Sequence, residues 1–306
     1  MPKQDTKVSV KRKSSRADKP ETSVTDLASV YHAAYNFLID YLDEFGLDGE
    51  EVLENELKVY RERQPFHELS DFYKRMLMSL MNRQGFPNYI NDDNTKWDDT
   101  ITKSAQILCD YDPHKVRDTY GDDWEKLLCE FQKIVAKSRS ADTSNTKNSW
   151  VQFSKGCLSC ASYLSRFANA EDFIHYAQGF TENQYSVIVL PELMSEQIDG
   201  FGFALACDFL KESGFKDFGK PDVHLMKIFY GIGLVEKDNL LVSTFVKMVE
   251  MARAVNDKKV QPVIVDKIFW LIGSGKFNAY NDNHPRNKIP ISRKRDEFIR
   301  KYNADN

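Results

Sequence analysis

Two glycines separated by one residue, Gly200 and Gly202, form the pattern in this sequence with the clearest chemical meaning. A short helical pattern precedes them and another follows, so the stretch 193–212 predicts a helix–turn–helix hairpin with Phe201 in its turn. Glycines let the backbone turn sharply and leave its amides uncovered by side chains. Amides at a helix N-terminus, together with the positive end of the helix dipole, favour an anion. The hairpin is therefore a candidate site for a nucleic-acid phosphate.

The segment after the hairpin adds polar side chains that could act together with it. Glycine-containing turns between helices more often serve packing than binding. Here, however, Asp222, His224 and Lys227 follow within one apolar helical pattern. Asp222 stands where a helix begins, a position typical of an N-cap that accepts bonds from the first amides. A capping carboxylate is held in a fixed direction, so a structural role and a chemical role are compatible.

This arrangement resembles the helix-hairpin-helix DNA glycosylase superfamily, which includes endonuclease III and the alkyladenine glycosylases. The family pattern joins an apolar residue, a Gly-x-Gly hairpin, a helix, and an Asp that begins the next helix. Here Ile198 is the apolar residue, and Asp222 follows Gly202 at the family's interval of 20 residues. His224 and Lys227 match the His and the basic residue that commonly come after the Asp. The resemblance is strong from 193 to about 232, weak over 66–90 and 153–180, and absent over the first 20 residues and about 91–149.

The resemblance implies an all-α protein with the helix-hairpin-helix DNA glycosylase fold, in which two helical subdomains flank the active-site cleft. It implies that double-stranded DNA is the partner and that a modified or mismatched base is rotated out of the duplex before its bond to the sugar is hydrolysed. Asp222 is then the catalytic residue, because its carboxylate stabilises positive charge on the deoxyribose and orients or deprotonates a water. The hairpin 200–202, His224 and Lys227 then bind DNA. Gln84, at the end of an earlier helix, is then the wedge that fills the space left in the duplex by the rotated base.

One departure from the family pattern bears on the mechanism. Members that also cut the strand have a Lys two residues after the second hairpin glycine, where its amine attacks the sugar. This sequence has Ala204 there, which implies a monofunctional enzyme that uses water and leaves an abasic site. Three alternatives stay open: a glycosylase/lyase that uses another lysine such as Lys155, an inactive relative that only binds DNA, and a protein-interaction scaffold whose hairpin only packs helices.

Other candidate sites have simpler interpretations. Cys157 and Cys160 have a spacing that metal and redox sites use, but no second pair follows and both lie in a predicted helix, so we expect core residues and no metal. The four-cysteine loop of some relatives is missing, so we expect no iron–sulfur cluster and no other cofactor. The resemblance leaves a monovalent cation at the carbonyls of Ile198 and Gly200 as an open option. Trp270 lies in an apolar run typical of a core, although its ring could stack on a flipped base.

The elements that must position these residues are helical. Apolar residues recur at steps of three and four over most of the chain, whereas only 185–190 is a β-branched apolar run, which fits either a lone strand or a buried helix. We predict a basic mobile tail over 1–22, one helical domain over 23–280 with an insertion at about 91–149, and a basic segment over 281–306.

Composition and charge limit the class of protein. The 306 residues are 42% hydrophobic and contain no apolar stretch near the roughly 18 residues needed to cross a bilayer, which excludes a membrane-spanning protein. Five cysteines and no apolar signal segment predict reduced thiols in the cytoplasm or nucleoid, or in a eukaryotic nucleus. The net charge of −4 includes two basic ends, 1–20 and 284–301, each with seven basic and two acidic residues. Such ends suit a DNA partner or serve solubility, and the stretch 11–16 fits a nuclear signal or a DNA-binding arm.

Overall fold

The computed structural model describes residues 26–83, 86, 102–135, 138–139, 141–183, 185–286 and 288–305. Within these ranges the regular elements are helices and no strand occurs, so the all-α prediction is confirmed. The predicted tail over 1–22 lies outside the described residues, as do Gln84 and the stretch 87–101.

The α-helices of six or more residues are labelled in chain order. They are α1 (Leu27–Asp43), α2 (Gly49–Glu62), α3 (Leu69–Met81), α4 (Pro113–Tyr120), α5 (Trp124–Ile134), α6 (Ser149–Leu164), α7 (Ala170–Gln178), α8 (Val189–Gln197), α9 (Phe203–Glu212), α10 (Val223–Gly231), α11 (Leu240–Val255), α12 (Pro262–Ser274), α13 (Asn278–Asn283) and α14 (Arg295–Asp305). A 3₁₀ turn, Cys109–Tyr111, precedes α4.

The segment 185–190 forms turns and then the start of α8 rather than a strand. The side-chain Oδ1 of Asn183 accepts hydrogen bonds from the amides of Tyr185 and Ser186, each at 2.9 Å. These bonds close a local turn and occupy donors that a strand would use for pairing. The apolar residues that follow, Leu190 among them, are buried in α8. The sequence left open a lone strand or a buried helix, and the structure is closer to the buried helix.

Helix packing divides the described helices other than α7 into two groups. Helices α3, α4, α5, α6, α8 and α9 form the first group, and α1, α2, α10, α11, α12, α13 and α14 form the second. Among the described residues, every extensive contact between two helices lies within one group. Aromatic pairs such as Phe203 with Phe245, whose ring centroids are 5.4 Å apart, connect the groups. This division leaves a cleft between the end of α3 and the α8–α9 turn on one side and α10 to α12 on the other.

The described part of the predicted insertion at about 91–149 belongs to the first group. Helices α4 and α5 both pack against α6. Val116, Leu127 and Phe131 are fully buried there, and the rings of Phe131 and Trp150 lie 5.5 Å apart. Burial of side chains of this size stabilises a fold by about 1.5–3 kcal/mol each. The segment is therefore integral to the core of its group.

The basic C-terminal segment is anchored on the second group. Phe298 of α14 is buried, and its ring lies 5.3 Å from that of Phe37 and 6.1 Å from that of Phe269. The chain before α14 passes over Gly275, which has a positive φ of 69°. A Cβ at Gly275 would lie 2.2 Å from the carbonyl oxygen of Ser292. The loop that passes Gly275 at this distance places the next residue, Arg293, at the cleft.

Gly275→Ala is expected to destabilise the protein more than the same change at Gly233. Both glycines have positive φ, so an alanine at either position has a backbone cost of about 1–2 kcal/mol. At Gly233 a Cβ would meet nothing within 4 Å, whereas at Gly275 it would collide with the backbone at Ser292. Urea unfolding of the two variants measures the difference, and equal losses would show that the loop moves away from Gly275 without cost.

Candidate active site

A cleft of about 770 Å³ lies between the two groups of helices. This volume is within the range of about 300–1,000 Å³ that is typical of small-molecule and cofactor sites. The predicted site residues that line it are Gly200, Phe201, Gly202, Asp222, His224 and Trp270. Residues that are far apart in the sequence are therefore brought together in one place.

The α8–α9 turn has the conformation that its glycines predict. The amide of Phe201 donates to the carbonyl oxygen of Ile198 at 3.1 Å and closes the turn. Gly200 has a φ of 76°, in the left-handed region that favours glycine. The side chain of Phe201 is buried, with its ring 6.2 Å from that of Phe209. The predicted DNA contact of Phe201 is thus limited to its backbone, because its ring is part of the core.

Gly202 is the N-cap of α9 and is exposed. Its φ of −72° is ordinary, and a Cβ there would meet nothing within 4 Å. No side chain of the described residues caps the first amides of α9, so the amides at Phe203 and Ala204 have no side-chain acceptor. The fold therefore does not itself require a glycine at this position. Its absent side chain instead leaves the start of α9 open to an anion.

If the hairpin holds DNA as the sequence predicts, Gly202→Ser should preserve stability and weaken DNA binding. A serine adopts the observed backbone without strain, and its hydroxyl caps the helix as well as or better than glycine does. The same hydroxyl would occupy the amides and the space that a phosphate would use. Chemical denaturation and fluorescence anisotropy with a labelled duplex measure the two effects. Unchanged affinity in this variant would remove the start of α9 from the DNA interface.

Asp222 has the predicted capping role at the start of α10. Its Oδ1 accepts hydrogen bonds from the amides of His224 at 2.8 Å and Leu225 at 3.1 Å. Neither bond uses Oδ2, and Asp222 lines the cleft while being half-buried. One carboxylate oxygen is therefore fixed by the helix while the other remains for a water or a substrate. This geometry fits a group that must point in one direction during a reaction.

Two buried carboxylates fix the segment that carries Asp222. The ammonium of Lys220 lies 3.2 Å from Oδ1 of Asp208, and the amide of Lys220 donates to Oδ2 of Asp266 at 2.9 Å. Asp266 also accepts from the ammonium of Lys211 at 2.7 Å. Lys220 is thus held at its backbone by α12 and at its side chain by α9. The position of Asp222, two residues later, depends on both groups of helices.

Asp208 also connects α9 to the end of α3. Its Oδ2 accepts hydrogen bonds from Ser79 at 2.8 Å, from Arg75 at 3.0 Å and from the amide group of Asn82 at 3.4 Å. Burial raises the pKa of Asp208, but Lys220 and Arg75 outweigh burial and hold that pKa well below its usual range. The ionised carboxylate is therefore the stable form, and it ties the α3 end of the cleft to the α10 end.

His224 and Lys227 lie at different distances from the cleft. His224 lines it and packs against α12, where a Cβ at Gly273 would lie 2.4 Å from the Cβ of His224. Burial lowers the pKa of His224, and nearby cations such as Arg293 add to that effect against the opposing charge of Asp222. Lys227 is exposed and is not among the residues that line the cleft. Its predicted contact with DNA therefore concerns the outer surface of α10.

Trp270 is both a core residue and a residue of the cleft, which are the two roles that its sequence context allowed. It lies in α12 and packs on the core, yet it is half-buried and lines the cleft. Gln84, the predicted wedge, lies outside the described residues. Its neighbours Asn82 and Arg83 line the cleft, and a Cβ at Gly200 would lie 3.2 Å from Nη1 of Arg83. The end of α3 is therefore in contact with the hairpin.

The sequence did not predict Arg83, Lys220 and Lys276 as side chains of the cleft, whereas Arg293 belongs to the basic C-terminal segment that was expected to suit a DNA partner. All four basic residues line the cleft, whereas Asp222 is the one carboxylate among its lining residues. These residues come from loops or helix ends, where no periodicity marks which side chain faces a cavity. Lys155, the lysine named as an alternative nucleophile, instead places its ammonium 4.8 Å from the centroid of the Trp124 ring and does not line the cleft.

The paired cysteines are core residues, as predicted. Cys157 and Cys160 are fully buried in α6, and burial raises the pKa of both thiols. Within the described ranges, no group of three or more His, Cys, Asp or Glu side chains could hold a metal ion. The cation at the carbonyls of Ile198 and Gly200 stays a prediction. The carbonyl oxygen of Ile198 already accepts a hydrogen bond from the amide of Phe201.

Comparison of the chain with protein-family models, with curated proteins and with solved structures found no match. None of the described helices is both long enough and apolar enough to cross a membrane.

Proposed function

We propose that the protein is a DNA glycosylase of the helix-hairpin-helix type that excises a modified or mismatched base by hydrolysis. The observation that carries the proposal is the convergence of the α8–α9 hairpin, Asp222 and Trp270 on one cleft between two groups of helices. A glycosylase needs these three parts together: a group that holds the DNA backbone, a carboxylate at the sugar, and a wall for the extruded base.

The proposed reaction places each of these residues in a distinct role. The open amides at the start of α9 bind a phosphate next to the extruded nucleotide. As the bond between base and C1′ breaks, its electron pair leaves with the base and positive charge develops on the sugar. Asp222 stabilises this charge and takes a proton from the water that attacks C1′. The products are the free base and an abasic site in an uncut strand.

The same cleft supports hydrolysis over attack by a lysine. Ala204 occupies the position where strand-cutting helix-hairpin-helix glycosylases have lysine. The two lysines that line the cleft are Lys220 and Lys276. The ammonium of Lys220 lies 3.2 Å from Oδ1 of the buried Asp208 and is engaged by that carboxylate. Water activated by Asp222 is the nucleophile that this arrangement favours.

The test is the release of free base from duplexes that each contain one damaged, mismatched or modified base. We expect release from at least one duplex, with the strand left intact. Trapping of the protein on DNA by borohydride would instead indicate a lysine nucleophile. If no base is released while salt-sensitive binding persists, the protein is a DNA-binding module, and if binding is also absent, the hairpin only packs helices.

A further inference from the structure

The inner side of Trp270 carries a buried positive charge. The ammonium of Lys267 lies 4.6 Å from the centroid of the Trp270 ring, a distance typical of a cation–π contact. The side chain of Lys267 is 5% exposed, and it is not among the residues that line the cleft. Trp270 itself does line the cleft, so the ammonium contacts a ring that a molecule bound in the cleft would also contact.

A buried ion pair fixes this ammonium. Its Nζ lies 3.1 Å from Oε2 of Glu56, whose side chain is 1% exposed. The other oxygen of Glu56 accepts a hydrogen bond from the amide of Tyr280 at 2.8 Å. Burial lowers the pKa of Lys267 while Glu56 opposes that shift. Glu56 does not line the cleft either, so a ligand in the cleft meets the aromatic ring and not the carboxylate.

This contact changes what the exposed face of Trp270 can bind. An aromatic ring attracts a cation through the negative potential of its faces. When an ammonium already lies against the ring, a second positive charge on the opposite side is repelled by the first. A neutral base stacks without this penalty, because stacking relies on dispersion and on burial of apolar area.

The charges around the cleft also disfavour a positively charged base, as the Lys267 contact does. Arg83, Lys276 and Arg293 line the cleft against the single carboxylate of Asp222, while Lys220, which also lines it, is paired with Asp208. A neutral base that leaves a sugar takes the electron pair of the broken bond and departs as an anion, which nearby cations stabilise. A base already charged by alkylation departs as a neutral molecule and needs no such help. Excess positive charge around the cleft therefore favours the release of a base that is neutral in DNA and departs as an anion.

We propose that this site selects bases that are neutral in DNA, such as deaminated or oxidised bases, and rejects purines that carry a positive charge from N-alkylation. This substrate class rests on the proposed function, because it assumes that the cleft receives the extruded base.

The test compares neutral and cationic partners of nearly equal size. Binding of guanosine against 7-methylguanosine, and of adenosine against 1-methyladenosine, is followed by quenching of tryptophan fluorescence, in buffer acidic enough that both methylated nucleosides carry their positive charge. Trp270→Phe is the control in which the quenching should be lost. We expect each neutral nucleoside to bind at least about tenfold more tightly than its cationic partner. Equal or tighter binding of the cationic partners would overturn the proposal.

A double variant tests the assigned cause. Glu56→Gln with Lys267→Met removes both charges and avoids a lone buried carboxylate. If this variant keeps the wild-type melting temperature within a few degrees, its preference for the neutral partners is expected to fall from about tenfold to about threefold or less. An unchanged preference in the folded variant would overturn the role of Lys267. If the variant does not fold, the wild-type comparison still decides the proposal.

Measurements of base excision distinguish a failure of this selectivity from a failure of the proposed function. Release of 7-methylguanine from duplex DNA as fast as hypoxanthine, uracil or 8-oxoguanine would overturn the selectivity and leave the glycosylase function standing. Absence of release from every duplex, together with discrimination between the nucleosides, would overturn the function and retain a charge-selective binding site.

Discussion

Asp222→Asn is expected to lower single-turnover base excision by about 10²–10⁴-fold, the usual contribution of a positioned general base. Asparagine caps a helix about as well as aspartate does, so the bonds to the amides of His224 and Leu225 should persist. Stability measured by urea unfolding should then stay within about 0.5 kcal/mol of wild type. The loss of activity would come from the absent negative charge and not from a disordered α10.

Two further variants at the same position separate capping from catalysis. Asp222→Ser retains a capping oxygen without a carboxylate and should behave like the asparagine variant. Asp222→Ala removes both roles and should lose about 1 kcal/mol of stability in addition to activity. Wild-type excision by either the Asn or the Ser variant would show that Asp222 is a cap and nothing more.

Asp208→Ala is expected to destabilise the protein by about 3–5 kcal/mol, because it leaves partly buried cations without their partner. Asp208 is 5% exposed and is within hydrogen-bond distance of Arg75 on α3 and of Lys220 before α10. The loss should appear in urea unfolding. Where the variant remains folded, excision should also fall, since Lys220 would no longer fix the segment that leads to Asp222.

An exposed ion pair provides the control for this change. Glu62 lies 3.8 Å from Lys58 on the surface of α2, and their side chains are 69% and 63% exposed. Glu62→Ala should therefore cost no more than about 1 kcal/mol. A loss in Asp208→Ala no greater than that in Glu62→Ala would contradict the importance of the buried network.

The same network predicts a direction for acid unfolding. Because Lys220 and Arg75 overcome the effect of burial and lower the pKa of Asp208, the stabilisation from its ionised form is complete above the unfolded carboxyl pKa of about 3.9. It is lost progressively as the pH falls below that value toward the folded pKa. The unfolding free energy of wild type should thus decrease below about pH 4 more steeply than that of Asp208→Asn.

Local patterns predicted the parts of the cleft that depend on short-range geometry. Gly200 and Gly202 mark the turn because one needs a positive φ and the other leaves the start of α9 open. Asp222 is identified as a cap because the apolar period of α10 begins directly after it. Trp270 was assigned mainly to the core because periodicity does not show that the second face of α12 borders a cavity.

Features that depend on long-range packing were not predictable in this way. Asp208 and Asp266 interrupt apolar helices, and a buried charge of this kind signals a partner without naming it. Their shared partner Lys220 comes from a loop. The described part of the predicted insertion at about 91–149 packs on α6 because its apolar residues complete that core, which a family comparison by motif does not reveal.

The most direct test of the central claim is single-turnover excision by wild type and Asp222→Asn on a panel of labelled duplexes, with each reaction analysed before and after hot alkali. We expect wild type to leave an intact strand that breaks at one modified base only after alkali, and Asp222→Asn to leave that strand largely unbroken. Breakage at the same rate in both proteins, or in neither while both still bind DNA, would contradict that claim.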